Sequence, residues 1–424
     1  MTTKILNSRL LMAVAMLAGA MSEASADNSL RLDYILSGRS GSAPEVSLVE
    51  VSRLATDNTR HVNMATPALA GNGSITVTNA GDTLYVNSFS TLFKEWMETG
   101  DTVRRAFEAS FFIPEPTQPV DVSLRLTDSR HRVVAEHHHR LDPADILIRR
   151  IERPAYAVDT LHRATWPTPI RVAVVGDGYT AAETGKFLDR ARQATAAILG
   201  HEPFATYADR FEFVAVTVPS QESGVSVPLR GEWRQTPLET HFSTFYSDRY
   251  LTTPRAFALN DALAGVDFEH IIVLANTAEY GGGGIYNTYS LAAADHALFE
   301  PVVVHEFGHS FGGLGDEYFY DHDTFNDTYP TDIEPWEPNI TTLVDFDSKW
   351  ADMVAAGTAV PTPAPSGDAD DWTTVGVYEG AGYSTRGVYR PADWCRMRVN
   401  RVPAFCPVCR RALLRVIDHQ TVEK

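Results

Sequence analysis

The chain has 424 residues, of which 44% are apolar and 21% charged, and a formal net charge of −18 at pH 7. Such proportions belong to a globular protein of more than one domain and exclude wholesale disorder, collagen-like repetition and a disulfide-dense miniprotein. The acidity favours solubility and argues against nucleic acid as a partner, because a phosphate backbone requires a basic footprint.

Lys4 and Arg9 precede an uncharged apolar run, Leu10 to Met21, and Ala24-Ser25-Ala26 fits the small-x-small cleavage rule with Asp27 as the new N-terminus. Residues 1–26 therefore read as a secretory signal peptide, which predicts a periplasmic or secreted protein. The run is too short for a comfortable membrane span, and no later stretch is long and apolar enough, so no stable membrane insertion is expected.

Residues 27–153 predict an antiparallel β-sandwich. Short alternating runs recur at Ser29–Leu36, Glu45–Val51, Ser74–Thr78, Asp82–Val86, Ala106–Phe112, Val120–Thr127 and Arg132–His138, with turn-forming clusters between many of them. His137 and His139 would share one strand face, which raises a metal pair; a solvated strand edge is the simpler reading.

Pro154 to Pro169 reads as a connector into a second domain, residues 154–424. Ile170–Val175 is an apolar strand, Thr180–Leu199 has helical spacing behind a Thr180/Glu183 capping box, and Phe211–Val218 and Phe268–Ala275 are further strands. Strand-helix-strand order predicts α/β layering here and an α+β chain as a whole. Gly176-Asp177-Gly178-Tyr179-Thr180-Ala181 imitates a dinucleotide fingerprint. Tyr179 would crowd the pyrophosphate, and no acidic residue ends the second strand at the expected distance, so a tight strand-to-helix turn accounts better for these glycines. Gly281 to Gly284 cannot pack a core and read either as a flexible hairpin or as an edge strand open to close main-chain approach. Val360 to Ser366 is a Pro-rich surface loop.

His305-Glu306-Phe307-Gly308-His309 is H-E-x-x-H. Pro301 suits the first helical position, and on a helix His305 and His309 lie one turn apart on the same side, about 6 Å along the axis. Both imidazoles can then reach one cation. Zinc accepts neutral imidazole nitrogen and, in a catalytic site, keeps one position for water. Glu306 points to the neighbouring side, where its carboxylate can take a proton from that water. A third ligand is needed. Gly312, Gly313 and Gly315 stop the helix and turn the chain back. Asp316 is the favoured ligand, Glu317 is next, and Glu334 from a separate segment is the third option. An edge strand at Gly281–Gly284, just ahead of such a helix, could pair with an extended peptide substrate.

Cys395-Arg396-Met397-Arg398 resembles the Met-turn that places a methionine beneath the metal of metzincins. The three cysteines, Cys395, Cys406 and Cys409, all lie near the C-terminal end of the sequence. Cys406 and Cys409 have redox-motif spacing but lack a thioredoxin-like context, and three cysteines cannot make a four-Cys zinc knuckle. In an exported protein a structural disulfide from Cys395 to Cys406 or Cys409 is expected.

The stretches Val175–Phe187, Glu202–Phe204, Ser220–Pro228, His305–Tyr318 and Glu379–Cys409 together resemble the IgA metallopeptidase family (metallopeptidase family sixty-four), a zincin group. The resemblance implies a zincin-like α/β metallopeptidase domain behind the β-sandwich. It implies a zinc endopeptidase with one Zn2+ per chain on His305, His309 and Asp316, with Glu306 as general base and a protein or peptide as substrate. Tyr389 or Tyr383, in the loop before Met397, could donate to the oxyanion. A zinc-binding but non-catalytic surface or adhesin protein that works through its β domain is the alternative.

Overall fold

The computed structural model describes residues 28–151, 156–319, 329–364 and 371–423. The expected signal peptide, the expected 153/154 boundary and the end of the Pro-rich loop lie outside the described residues. The N-terminal strands follow from alternating sequence. They are β1 (Ser29–Gly38), β2 (Glu45–Leu54), β3 (Gly73–Asn79), β4 (Asp82–Phe89), β5 (Arg105–Pro114), β6 (Val120–Thr127), β7 (Val133–Leu141) and the short β8 (Arg149–Arg150). Two four-stranded sheets result, ordered β5-β1-β2-β8 and β4-β3-β6-β7. Every pairing is antiparallel except that of β2 with β8. Leu30, Leu32 and Leu36 of one sheet share a buried core with Ile75, Val77, Val122 and Leu124 of the other. This is the expected sandwich.

One helix there has no counterpart in the sequence reading. α1 (Leu92–Glu98) starts at Thr91, whose Oγ1 accepts from Lys94 N at 3.1 Å, and it buries Phe93 and Trp96. Two turns are too few for a helical period to stand out. His137 and His139 do share a face on the edge strand β7. There they flank Tyr34, whose hydroxyl lies 2.8 Å from His139 Nε2.

The second region is layered. Its elements are β9 (Ala157–His162), β10 (Ile170–Asp177), α2 (Thr184–Leu199), β11 (Phe211–Thr217), α3 (Ala256–Ala262), β12 (His270–Ala275), β13 (Gly282–Ile285), β14 (Tyr289–Ala293) and α4 (Phe299–Gly312). The hairpin β15 (Tyr378–Ala381) and β16 (Ser384–Arg390) and the final helix α5 (Pro407–Thr421) follow. One six-stranded sheet runs β13-β14-β12-β10-β11-β9, parallel inside and antiparallel at both edges. Its central strands are apolar on both faces because both faces are covered. Val172 and Val174 pack in the core with α2, α4 and α5, whereas Ala173 and Val175 join the core on the opposite face.

The capping box ahead of α2 forms, with Thr180 N donating to Glu183 Oε2 at 2.9 Å. A Cβ on Gly176 would come within 2.7 Å of the Phe187 ring, and Gly178 has φ +81°. Close packing and turn geometry thus account for both glycines. Asp177 is buried and accepts from Thr236 Oγ1 (2.8 Å) and from the amides of Leu238 (3.2 Å) and Thr240 (3.0 Å), a role in fixing a loop. Contacts tie the sandwich to this region: Arg171 donates to Asp57 Oδ2 at 2.7 Å, and Tyr250 OH to Glu95 Oε2 at 2.6 Å. Among the described residues no helix is long and apolar enough to cross a membrane.

Candidate metal centre

α4 begins at Phe299, two residues before Pro301. Pro301 still lies in the first turn, where its missing N–H breaks no helical bond. One turn further in, His305 and His309 bring their Nε2 atoms to 3.0 Å. Each ring directs its other nitrogen to a backbone carbonyl, His305 Nδ1 to Arg396 O (3.0 Å) and His309 Nδ1 to Leu314 O (2.5 Å). A carbonyl only accepts, so we assign the proton to Nδ1 in both rings. That tautomer presents Nε2 to a cation.

The helix stops at Gly313, whose φ of +57° turns the chain back. The bend falls one residue after Gly312. Asn339 then clasps Gly315, accepting from its N–H (2.8 Å) and donating to its carbonyl (2.9 Å). This delivers Asp316 to the histidines, with Oδ1 3.2 Å from each Nε2. Asp316 Oδ1 is buried and, among the described residues, has no hydrogen-bond partner beyond its approach to the two rings, while Oδ2 accepts from Tyr383 OH at 2.5 Å. Ligands bonded at about 2.0–2.1 Å to one tetrahedral ion stand about 3.3 Å apart, so a triangle of 3.0, 3.2 and 3.2 Å suits zinc. Burial opposes charge on both partners, yet their mutual attraction outweighs it. Asp316 holds His309 up at about 9, and the two rings hold Asp316 well below the carboxylate range.

Glu306 is partly buried, and that burial raises its carboxyl above the usual range. One of its oxygens and one ring nitrogen each of His305 and His309 all lie within 4.8 Å of one another. The other sequence candidates lie elsewhere. Glu317 turns away from the rings: its Oε1 accepts from Asn339 (2.9 Å) and lies 3.0 Å from Cys409 Sγ. Glu334 accepts from Asp345 N at 3.0 Å. Tyr389 sits on β16 with its backbone paired to Thr341, and among the described residues no hydrogen bond joins it to the histidines or Asp316. Tyr383 is the tyrosine of this hairpin that touches the site. Tyr318 and Arg249 were not singled out from the sequence. Tyr318 lies nearly parallel to the His305 ring at 6.4 Å, and the Arg249 guanidinium lies 5.7 Å above the Tyr318 ring. Arg249 comes from an irregular loop, where no periodicity marks it.

Beneath α4, Met397 is fully buried, and a Cβ on Gly308 would meet its sulfur at 2.8 Å. The segment resembling a Met-turn thus supplies both a floor for the helix and, through Arg396 O, the orientation of His305. Above, β13 is an edge strand that packs on the helix through its glycines. The outer side of Gly282 is partly covered, since Leu251 N donates to Gly282 O at 3.2 Å. A Cβ on Gly284 would come within 2.5 Å of Glu306 O and 2.7 Å of His309 Cβ. Gly284→Ala is therefore expected to cost about 1–3 kcal/mol by overpacking and to displace His309. Thermal unfolding and zinc content check this, with Gly185→Ala, where nothing lies within 4 Å, as the unaffected control.

The expected disulfide is not formed. Cys395, Cys406 and Cys409 are all buried and free, and Cys395 Sγ lies 3.8 Å from Cys409 Sγ, against about 2.05 Å for a bond. The sulfurs instead gather around the Glu317 carboxylate.

Two imidazoles on one helix, a returning carboxylate and a neighbouring, partly buried glutamate, set beside an α/β sheet, define a metallopeptidase type of centre. The family comparison agrees: residues 161–373 and 366–417 match IgA Peptidase M64, and residues 21–138 match the Peptidase M64 N-terminus. The chain belongs to the IgA peptidase M64 family, a family of metallopeptidases. A search of curated proteins found no match.

Proposed function

We propose that the protein is an exported zinc endopeptidase in which His305, His309 and Asp316 hold the metal. The observation that carries this reading is the convergence of their three donor atoms, with Asp316 Oδ1 buried and otherwise unpartnered. When bound, zinc would lower the pKa of a coordinated water and polarise the scissile carbonyl. Glu306 takes the proton of the attacking water and passes it to the leaving amine; burial raises its carboxyl and so fits it to hold that proton in between. Tyr383 is a positioning residue, acting through Asp316. Among the described residues no hydrogen bond joins Tyr389 to the histidines or Asp316, so the oxyanion donor is better sought in Arg249, whose charge acts on Glu306.

The substrate is a protein or peptide. Its extended main chain can align with β13 beyond the part covered by Leu251. Immunoglobulin A is the substrate in the family's name, and the name alone does not assign it to this chain. Export rests on residues 1–26. The test is casein digestion by purified protein before and after removal of metal with a chelator. Cleavage should vanish and return with one equivalent of zinc at the histidine site. Undiminished cleavage by metal-free protein would overturn the proposal.

A further inference from the structure

Behind the histidine centre lies a second set of ligand-type side chains. Glu317, Cys395, Cys406 and Cys409 each show 0% exposure, and one donor atom from each lies within 4.8 Å of the others. Two thiolates bonded at about 2.3 Å to a tetrahedral zinc stand about 3.8 Å apart. Cys395 Sγ and Cys409 Sγ are 3.8 Å apart. Glu317 Oε1 lies 3.0 Å from Cys409 Sγ and is steadied by Asn339, whereas Glu317 Oε2 is buried with no hydrogen-bond partner among the described residues.

The surroundings suit anionic sulfur. Cys406 is the N-cap of α5, and Cys409 lies in its first turn, where the helix favours negative charge. Cys406 N donates to Cys395 Sγ at 3.3 Å. Arg390 and Arg396 bring positive charge to Glu317 and Cys395 respectively, and each has a buried Nε with no hydrogen-bond partner among the described residues. Their two charges offset the excess negative charge that three thiolates and a carboxylate leave around a divalent ion.

We propose that Glu317, Cys395, Cys406 and Cys409 bind a second, structural zinc ion. The three cysteines fall one ligand short of a knuckle, and the glutamate completes the set. Four protein ligands close the coordination sphere, so this ion has no place for water and no part in hydrolysis. Each thiol or carboxyl that is protonated beforehand gives its proton to solvent as the ion binds. The ion would pin three segments that build the first centre. Asp316 precedes Glu317, Arg396 and Met397 follow Cys395, and α5 carries the other two sulfurs. This inference uses none of the three proposed catalytic ligands and stands independently of the peptidase mechanism.

The test uses full-length protein loaded with zinc. Elemental analysis should find two zinc ions per chain, and one in the His305→Ala/His309→Ala double variant. Zinc X-ray absorption of the wild-type protein should show a sulfur shell near about 2.3 Å, a readout that does not depend on the variant folding. The double variant should show that shell more strongly. A zinc-loaded wild-type protein with no sulfur shell would overturn the proposal. So would intact-mass analysis, after alkylation without reductant, that finds Cys395 disulfide-bonded to Cys406 or Cys409.

Discussion

Glu306→Gln is expected to lower peptide hydrolysis by about 10²–10⁴-fold while leaving zinc at the histidine centre. The substitution keeps size and shape, which matters because β13 lies directly against this side chain. It removes only the ability to take up a proton. Metal content should hold because the three converging donor atoms belong to His305, His309 and Asp316. The measurement is turnover of a peptide substrate beside zinc analysis of the same sample. The loss should fall on kcat, because Glu306 acts on the proton in flight and not on substrate binding. A variant cleaving at the wild-type rate would refute the base assignment. A variant that loses its zinc would make Glu306 a ligand and refute it equally.

What could be read from the sequence follows how local each interaction is. The two histidines were legible because one turn of one helix sets their spacing. The sandwich was legible because alternation marks each strand separately. Asp316 could be named only as one of three candidates. Its delivery depends on the left-handed turn at Gly313 and on Asn339, which clasps Gly315 from 24 residues away. Tyr383 and Tyr389 could not be ranked, since their directions depend on the β15–β16 hairpin. Tyr383 sits in its turn with φ +63°, whereas Tyr389 is paired along the strand. The cysteines were misread for a related reason. Counting thiols and assuming an oxidising compartment led to a disulfide, whereas the partner that organises them is a carboxylate 92 residues before Cys409.

Asp316→Ala should cost the histidine centre its metal and with it hydrolysis. Tyr383→Phe, which removes the hydrogen bond to Asp316 Oδ2 together with the hydroxyl contact to Tyr318, should weaken zinc binding by about 10–100-fold. The pH dependence separates these cases. In the metal-free wild-type protein Asp316 holds the His309 proton up to about 9. Zinc must displace that proton, so affinity should fall about tenfold for each unit that pH drops below about 9. Without the carboxylate, His309 loses its two largest raising influences, and burial, which lowers it, is opposed only by Glu306 and the Leu314 carbonyl. The remaining weak affinity of Asp316→Ala should then vary little until more acidic pH. Chelator-competition titrations at about pH 6 and about pH 8 read both effects. Equal pH slopes in wild type and Asp316→Ala would show that the Asp316–His309 pair does not govern metal entry. Unchanged zinc affinity in that variant would remove Asp316 from the ligand set. The sulfur cluster provides an internal reference, since Glu317 points away from the histidines and should keep its zinc when its neighbour is truncated.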